Sequence, residues 1–281
     1  MKPQINTPVE LHECNDVDIF VKREDMATAP PGPPFSKIRG LYVHLTKLYE
    51  NGTRVVGYVE TSISMAGWGV AWAAELLGMK AVLYDPQYKV TPALLRFHRR
   101  QWKKFSPDIV PVPAGRARVN YYRGVKHLHA TYGADAVMLD LGLPLDETIK
   151  ETAMEWRRTM SKLTAPPGTT VVNVGSGTIC AGILRGWQSG EGLVIGVLGR
   201  SSNLTSKLNT IGRRAQRSIN GMLGVPLQLK DPGWEYTDRS KFGSPFPCHP
   251  YYDMKAWEWM YNHIEKLTPP ILFWNIGRMR S

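Results

Sequence analysis

Lys37 stands where a proline-rich loop turns into a segment with helical spacing. The sequence PPFSKIRGL (33–41) places it between Ser36 and Ile38, and apolar and aromatic residues recur at helical intervals after it. The positive end of a helix dipole disfavours a protonated amine, so this position suits a nucleophile better than a salt bridge. A solvated surface lysine is the alternative interpretation, because lysines are seldom buried.

A Gly-Ser-Gly-Thr turn follows an apolar run in VVNVGSGTICAG (171–182). Glycines at 175 and 177 let backbone amides approach a ligand, Ser176 and Thr178 add hydroxyl donors, and the following helix start favours an anion. The turn therefore predicts a phosphate site. It lacks a Walker lysine and does not fit G-x-G-x-x-G, so it is neither a nucleoside triphosphatase loop nor a dinucleotide loop. A strand-to-helix turn without a ligand is the alternative.

A second strand-to-helix loop, ETSISMAGWG (60–69), is rich in hydroxyl groups. Thr61, Ser62 and Ser64 could hold a carboxylate at the start of the helix. The same residues would look identical as simple helix caps, so the loop alone does not decide between the two.

The elements that must position these loops alternate between strands and helices. Buried β-branched runs separated by helical segments of 10–20 residues predict parallel sheets with helices on both faces, in two α/β units divided near residue 165. Ligands of such sheets lie at the carboxyl ends of the strands. Strands are expected over 53–60, 80–86, 108–113, 136–142, 169–177, 193–199 and 269–277, and helices over 64–80, 91–105, 116–133, 145–163, 178–187, 203–223 and 251–267.

The 281-residue chain is strongly basic, with 35 Lys and Arg against 24 Asp and Glu, a net charge of +11 and a pI of about 9.6. An enzyme of free metabolites does not need this excess, which favours a polyanionic partner. No apolar run is long enough for a membrane span, so no membrane contact is expected. Cys14, Cys180 and Cys248 are too widely spaced for a disulfide framework, which indicates the cytoplasm.

The segment RFHRRQWKKF (96–105) interleaves basic and aromatic residues, and GRRAQR (212–217) and the Arg and Lys residues of 116–126 add to it. Cations neutralise phosphates and aromatic rings stack on unpaired bases, so the stretch 96–104 is a candidate DNA contact. An amphipathic helix that buries its aromatic rings and solvates its charges is the alternative.

Taken together in chain order, these segments resemble the tryptophan synthase β-like superfamily of pyridoxal-phosphate enzymes, known as fold type II. The likeness is closest to the branch of D-cysteine desulfhydrase and aminocyclopropane-carboxylate deaminase. PFSKIRGL is similar to the family's Ser/Asn-Lys-x-Arg segment, VKRED (21–25) to its Lys-Arg-Glu/Asp segment, and TSISMAGWG to its Ser-Asn-His loop. VGSGTICAG stands at the phosphate loop, YYDMKAW (251–257) resembles Tyr-x-x-Lys, and PILFWNIG (270–277) resembles the closing strand.

The resemblance implies two three-layer αβα domains with mostly parallel sheets and pyridoxal 5′-phosphate in the cleft between them. Residues 1–45 and 165–281 would form the larger, cofactor-anchoring domain, and 46–164 the smaller, substrate-side domain. Lys37 would form the Schiff base and move a proton. Gly175, Ser176, Gly177 and Thr178 would hold the phosphate, and Thr61, Ser62 and Ser64 the substrate carboxylate.

The C-terminal part of the chain both matches and departs from the family pattern. Tyr252 corresponds to a tyrosine that stands near the substrate as a second acid, base or nucleophile, although a core aromatic at a helix start is the alternative. Met65 replaces the asparagine that holds the cofactor's ring hydroxyl. Ile276 replaces the hydroxyl residue beside the pyridine nitrogen, which leaves Asn275 as the expected cofactor contact there. A weaker partner for that nitrogen makes the ring a weaker electron sink.

Three functions are compatible with these residues. The first is a lyase or deaminase of free amino acids. The second is a lyase or decarboxylase of an amino acid attached to a nucleobase, as in the hypermodification of viral DNA in a host cytoplasm; it accounts for the charge and the altered ring contacts. The third is a non-catalytic, nucleic-acid-binding protein on a decayed pyridoxal-phosphate fold. A homodimer is expected, and no metal site is, because His127 and His129 would diverge on a helix.

Overall fold

A computed structural model describes residues 2–219 and 224–279. The chain divides into two compact units, and the division falls inside the first turn of the helix that follows Lys37. The smaller unit contains residues 2–3, 28–33 and 40–145, and the larger contains 4–27, 34–39 and the described part of 146–281.

Ten strands and eight α-helices form these units in the described residues. The strands are β1 Val9–Cys14, β2 Val17–Arg23, β3 Val55–Val59, β4 Lys80–Gln87, β5 Asp108–Pro113, β6 Val137–Met138, β7 Thr169–Val174, β8 Leu193–Leu198, β9 Leu227–Lys230 and β10 Ile271–Asn275. The helices are α1 Ile38–Glu50, α2 Ala66–Leu76, α3 Ala93–Trp102, α4 Ala117–Tyr132, α5 Asp146–Met160, α6 Thr178–Gly186, α7 Leu204–Ala215 and α8 Asp253–Tyr261. Short 3-10 helices cover Glu24–Met26, Lys103–Phe105 and Ile264–Lys266. None of these helices combines the length and apolar character that a bilayer crossing requires.

The larger unit is built on a six-stranded sheet in the order β1-β2-β10-β7-β8-β9. Only the β1–β2 pair is antiparallel, and its hairpin turns at Asn15 and Asp16, whose φ angles of 51° and 59° suit a two-residue turn of the primed type. The other pairs are parallel, so the ends of β7, β8 and β10 share one edge of the sheet.

Both faces of this sheet are covered, because successive side chains of a strand point to opposite sides. Trp274 of β10 packs on one face against Trp156 of α5, with ring centroids 5.7 Å apart. Phe273 packs on the other face against Trp257 of α8 at 5.3 Å. All four rings are buried, so α8 and the strands it covers are held as one packed layer.

The smaller unit contains a fully parallel sheet in the order β5-β4-β3-β6. Helix α2 packs on β3 and β4 and against α3, whereas α4 packs on β3, β4 and β6. Because β6 lies on the side of β3 away from β5, right-handed connections place α4 on the face opposite α2 and α3.

The predicted α/β class with parallel sheets is confirmed, but several elements differ from expectation. The hairpin β1–β2 and strand β9 were not predicted, and strand 136–142 shrinks to Val137–Met138. Helix 251–267 ends at Tyr261 and continues as a 3-10 turn, and residues 220–223 of helix 203–223 lie outside the described part.

The boundary between the units lies at 145/146 rather than near 165. Helix α5 belongs to the larger unit because it packs closely on α6. A Cβ atom added to Gly182 would lie 2.4 Å from the Cβ atom of Thr152, and one added to Gly186 would lie 2.9 Å from the Trp156 ring. Only glycines on α6 permit this approach.

The basic stretch 96–104 follows the amphipathic alternative rather than a stacking surface. Trp102 is fully buried and Phe97 and Phe105 are half-buried, so none of the three rings is fully exposed for stacking on bases. Arg99 is paired with Asp85 at 2.9 Å, and Arg96 donates to the Thr91 carbonyl at 2.7 Å.

Candidate active site

Lys37 lies immediately before α1, as predicted, and reaches the glycine-rich turn of the same unit. Its Nζ atom donates to the Oγ atom of Ser176 at 2.9 Å, and that hydroxyl is 2.9 Å from the Oγ1 atom of Thr178. Burial, together with the nearby charge of Arg214, lowers the pKa of Lys37 to about 7. About half of an amine with that pKa is deprotonated, and so nucleophilic, at pH 7.

The residues around Lys37 are fixed by both ends of the chain. Ser36 donates its backbone N–H to the Ile276 carbonyl at 2.9 Å, and Phe35 forms a bridge with Gly277. On the other side, Arg39 forms a buried ion pair with Glu24 of the VKRED segment. The backbone that carries Lys37 is therefore held on both flanks.

The glycine-rich turn between β7 and α6 is closed on one side and open on the other. Gly177 has a φ of +85°, and a Cβ atom there would lie 2.8 Å from the Cγ1 atom of Ile211 on α7. A Cβ atom on Gly175 would meet nothing within 4 Å. The open side, at the N-terminus of α6, leaves space for an anion near the backbone amides.

Helix α7 adds cations to this turn that were not predicted as site residues. Lys207 donates to the Gly175 carbonyl at 2.9 Å, and Arg214 donates to the Ser176 carbonyl at 2.5 Å. Burial and the charges of Arg214 and Arg200 lower the pKa of Lys207. Neighbouring cations create a positive potential, which favours a phosphate dianion. The sequence offered Arg214 only as part of a basic surface stretch.

At the end of β10, the side chain of Asn275 forms its hydrogen bonds within the protein. Its Nδ2 atom donates to Asp25 at 3.0 Å and to the Pro247 carbonyl at 3.0 Å, and its Oδ1 atom lies 3.6 Å from the Cys248 sulfur. Both amide hydrogens are therefore used inside the protein. Asn275 stays a predicted cofactor contact, but it has no further hydrogen to donate.

Asp253, the residue after Tyr252, offers a better partner for a ring nitrogen. Its Oδ1 atom accepts the Ile276 N–H at 2.9 Å, while its Oδ2 atom has no hydrogen-bond partner among residues 2–219 and 224–279. Burial and the neighbouring charge of Asp25 raise the pKa of Asp253 well above its usual range. A buried carboxylate oxygen without a donor suits a protonated pyridine nitrogen. The sequence shows only an acidic residue at a helix start, which is ordinary for a cap.

Tyr252 lies at the start of α8, near the carboxyl end of β7. Its carbonyl accepts from the Nδ2 atom of Asn173 at 2.9 Å, its ring centroid is 4.7 Å from that of His249, and its hydroxyl is 3.4 Å from that of Tyr236. Asn173 is the second residue before Gly175, so Tyr252 and the glycine-rich turn share one edge of the sheet. Tyr236 was not predicted.

The hydroxyl-rich loop belongs to the smaller unit, where its geometry is set by a buried carboxyl group. Glu60 accepts the backbone N–H groups of Thr61 at 2.8 Å and Gly67 at 2.7 Å. Burial raises the pKa of Glu60 to about 8. The Ser64 hydroxyl accepts the Ala66 N–H at 3.0 Å, which is the capping role that the sequence left open. Ser62 is buried and Thr61 is half-buried.

The donor set of the larger unit fits pyridoxal phosphate group by group. The cofactor has an aldehyde for Lys37, a phosphate for the turn 175–178 with its open face at Gly175, and a ring nitrogen for the vacant oxygen of Asp253. No cluster of three or more His, Cys, Asp or Glu side chains that could hold a metal occurs within the described ranges.

Known proteins point to the same cofactor. The pattern of the pyridoxal-phosphate dependent enzyme family matches residues 2–241. The glycyl-dTMP PLP-dependent decarboxylase of Pseudomonas phage M6 is 39% identical, in an alignment that covers 97% of this chain and 98% of that protein. A crystal structure of an ACC deaminase homologue superposes with a TM-score of 0.79 at 18% identity, over 98% of this chain and 92% of that one. A hydrogen sulfide-producing enzyme from Fusobacterium nucleatum gives a TM-score of 0.70 at 12% identity, over 98% and 95%.

The two solved structures share the fold at low identity, whereas the family pattern and the phage relative extend over most of the sequence. The predicted resemblance to fold type II enzymes and the predicted cofactor are both confirmed. The chain belongs to the family of pyridoxal-phosphate-dependent enzymes.

Proposed function

We propose that this enzyme removes the carboxyl group of an amino acid carried by a thymine nucleotide. The phage M6 decarboxylase, whose name gives glycyl-dTMP as its substrate, supports this choice because 39% identity extends over nearly both whole chains. The formal charge of +11 favours a phosphate-bearing substrate over a free amino acid.

One contact carries the proposal: the Lys37 amine, with a pKa of about 7, donates to Ser176 of the glycine-rich turn. A nucleophilic amine and a phosphate site within one hydrogen bond of each other match the aldehyde and the phosphate of a single cofactor. This contact supports the proposal that Lys37 is the catalytic amine and that residues 175–178 bind the phosphate.

Decarboxylation breaks the bond between the α-carbon and the carboxyl carbon, releases carbon dioxide and places a proton on the α-carbon. When bound, pyridoxal phosphate supplies an electron sink for the electron pair left on that carbon. The carboxyl group must be free to leave and the amino group free to react. The nucleotide is therefore attached through the α-carbon, as the side chain of the amino acid.

The chain's own groups supply orientation and protons. The Asp253 oxygen without a hydrogen-bond partner in the described residues would accept from the protonated ring nitrogen, and Lys207 and Arg214 would make the phosphate turn more positive. The α-carbon takes up one proton. The pKa of Lys37 is about 7, so its Nζ atom would donate that proton, with the Tyr252 hydroxyl as the alternative donor. Thr61, Ser62 and Ser64 remain the predicted ligands of the substrate carboxylate.

The test is incubation of the holoenzyme with glycyl-dTMP and, separately, with D-cysteine, L-serine and aminocyclopropane carboxylate. The proposal expects loss of carbon dioxide from the nucleotide and no turnover of the free amino acids. Release of ammonia or sulfide from a free amino acid would identify a lyase or deaminase instead. No turnover of any substrate by cofactor-loaded protein would favour the non-catalytic alternative.

A further inference from the structure

Helix α4 presents a basic face that the fold does not use. Arg118, Tyr122 and Lys126 follow one another at intervals of four residues, with Arg123 beside them, and all four side chains are exposed. The exposed fraction of Tyr122 is 57%. The helix sequence ARVNYYRGVKHLHATY contains no Asp or Glu. We refer to these four residues as the basic face of α4.

The charges of this face are not neutralised within the described residues 2–219 and 224–279. Arg118, Arg123 and Lys126 form no salt bridge there, whereas Lys150 of α5 pairs with Asp146 at 2.8 Å in the usual helical manner. Arg118 also lies in the first turn of α4, where the helix dipole disfavours a cation. Three unpaired like charges on one helix, one of them at its unfavourable N-terminal end, indicate an anionic partner from outside the unit.

The face begins at the chemically relevant edge of its own sheet. All four strands of this sheet are parallel, so the segments after β3, β4 and β5 meet at one edge. The Thr61–Ser64 loop follows β3, and the first turn of α4 closely follows β5. Between them, after β4, lies a loop with Lys89 exposed and Val90 82% exposed.

We propose that the basic face of α4 docks the phosphate backbone of double-stranded DNA. This inference rests on the proposed function and extends its substrate from the free nucleotide to a nucleotide within a DNA polymer. Arg118 and Lys126 lie about 12 Å apart along the helix, a reach that covers neighbouring phosphates. The exposed Tyr122 lies between them. The stretch 96–104 is the weaker candidate, because Trp102 is buried, Arg99 is paired and the stretch lies on the opposite face of the sheet.

The experiment measures binding of a fluorescein-labelled duplex of about 20 base pairs to the holoenzyme by anisotropy, between about 50 and 200 mM salt. The test variant is R118Q/R123Q/K126Q. The control, R100Q/K103Q/K104Q, removes the same charge from the opposite face. We expect the test variant to lose at least about tenfold in affinity for the duplex. The plot of log association constant against log salt concentration should become less steep by about 2 to 3. The control should lose less than about threefold.

Equal losses in both variants, or unchanged binding by the test variant, would overturn the inference, as would a wild type that does not bind duplex DNA. Turnover of glycyl-dTMP as a free nucleotide separates this inference from the proposed function, because both variants should keep it. If the wild type decarboxylates the nucleotide but DNA binding does not depend on α4, the inference fails alone. The melting temperature of the test variant should equal or exceed that of wild type, since an unfavourable charge leaves the helix start.

Discussion

Gly175 and Gly177 lie two residues apart, yet their surroundings are opposite. Gly177 has a φ of +85° and the Ile211 side chain 2.8 Å from the position of a Cβ atom, whereas Gly175 has open space there. The fold therefore requires a glycine at 177, whereas at 175 a glycine keeps the open side of the turn free for a ligand.

Alanine at each position should separate these two requirements. Gly177→Ala should lower the free energy of unfolding of the cofactor-free protein by about 2 kcal/mol. Alanine is strained at a positive φ, and its Cβ atom would clash with the Ile211 side chain. Gly175→Ala should change it by less than about 0.5 kcal/mol but weaken pyridoxal-phosphate binding at least about tenfold. Urea unfolding and equilibrium titration measure the two effects. Normal cofactor binding by Gly175→Ala would show that the cofactor's phosphate does not bind at this turn.

Asp253→Asn tests the vacant carboxylate oxygen beside Ile276. The pKa of Asp253 is raised in the folded state, so the folded protein holds that proton more tightly and loses stability as pH rises. The neutral amide removes this dependence from the cofactor-free protein. With cofactor, decarboxylation should fall at least about tenfold, because a charge-assisted hydrogen bond contributes roughly 1.5–3 kcal/mol.

The exposed Asp18 of β2 provides the matched control, since Asp18→Asn removes the same charge without touching a buried group. Activity and pH-dependent melting should both match wild type in the control. If Asp253→Asn also matches wild type in both, Asp253 does not face the ring nitrogen.

Glu60 should give the smaller unit a distinctive pH dependence. The pKa of Glu60 is about 8 in the folded state, above its unfolded value, so its contribution to stability is full at low pH and is lost as pH rises through about 8. The difference in unfolding free energy between wild type and Glu60→Gln should change by up to about 1.4 kcal/mol per pH unit between about pH 5 and 8. Glu75→Gln, at an exposed position of α2, should run parallel to wild type. Parallel curves for Glu60→Gln would mean that Glu60 is charged when folded.

Arg214→Gln should raise the pKa of Lys37. Burial is the larger cause of its low pKa and stays in place, but the repulsion from Arg214 disappears. Competitive labelling of the cofactor-free protein with acetic anhydride, measured on the Lys37 peptide across pH, reports this change. Arg213→Gln, on the exposed side of α7, is the control. An unchanged midpoint in Arg214→Gln would show that its charge does not act on Lys37.

The parts of the fold that could be predicted from sequence are those with strong local patterns. The buried runs of β3, β4, β7 and β8 and the amphipathic helices between them fix an α/β class with parallel sheets. The β1–β2 hairpin was missed although it pairs along its whole length, because its turn of Asn15 and Asp16 joins strands with weak alternation. The unit boundary was misplaced because glycines of α6 draw α5 across it.

Some residues of the candidate site could likewise be predicted from local sequence, and others could not. Lys37 and the glycine-rich turn carry local signals, a loop-to-helix lysine and a strand-Gly-helix sequence. Lys207 and Arg214 look like the solvated face of α7 until that helix is placed against the turn. Asp253 is buried in the fold and accepts the N–H of Ile276, 23 positions away. Tertiary packing, which a single sequence does not reveal, supplies these residues.

The most direct test is borohydride reduction of the purified holoenzyme, followed by an absorbance spectrum and peptide mapping. A visible band that disappears on reduction, with the phosphopyridoxyl group on Lys37, is the expected result. Lys37→Ala and Lys37→Arg should show no such band while keeping the wild-type fold by circular dichroism. Label on another lysine, or an intact band in either variant, would contradict the assignment of Lys37 as the catalytic amine.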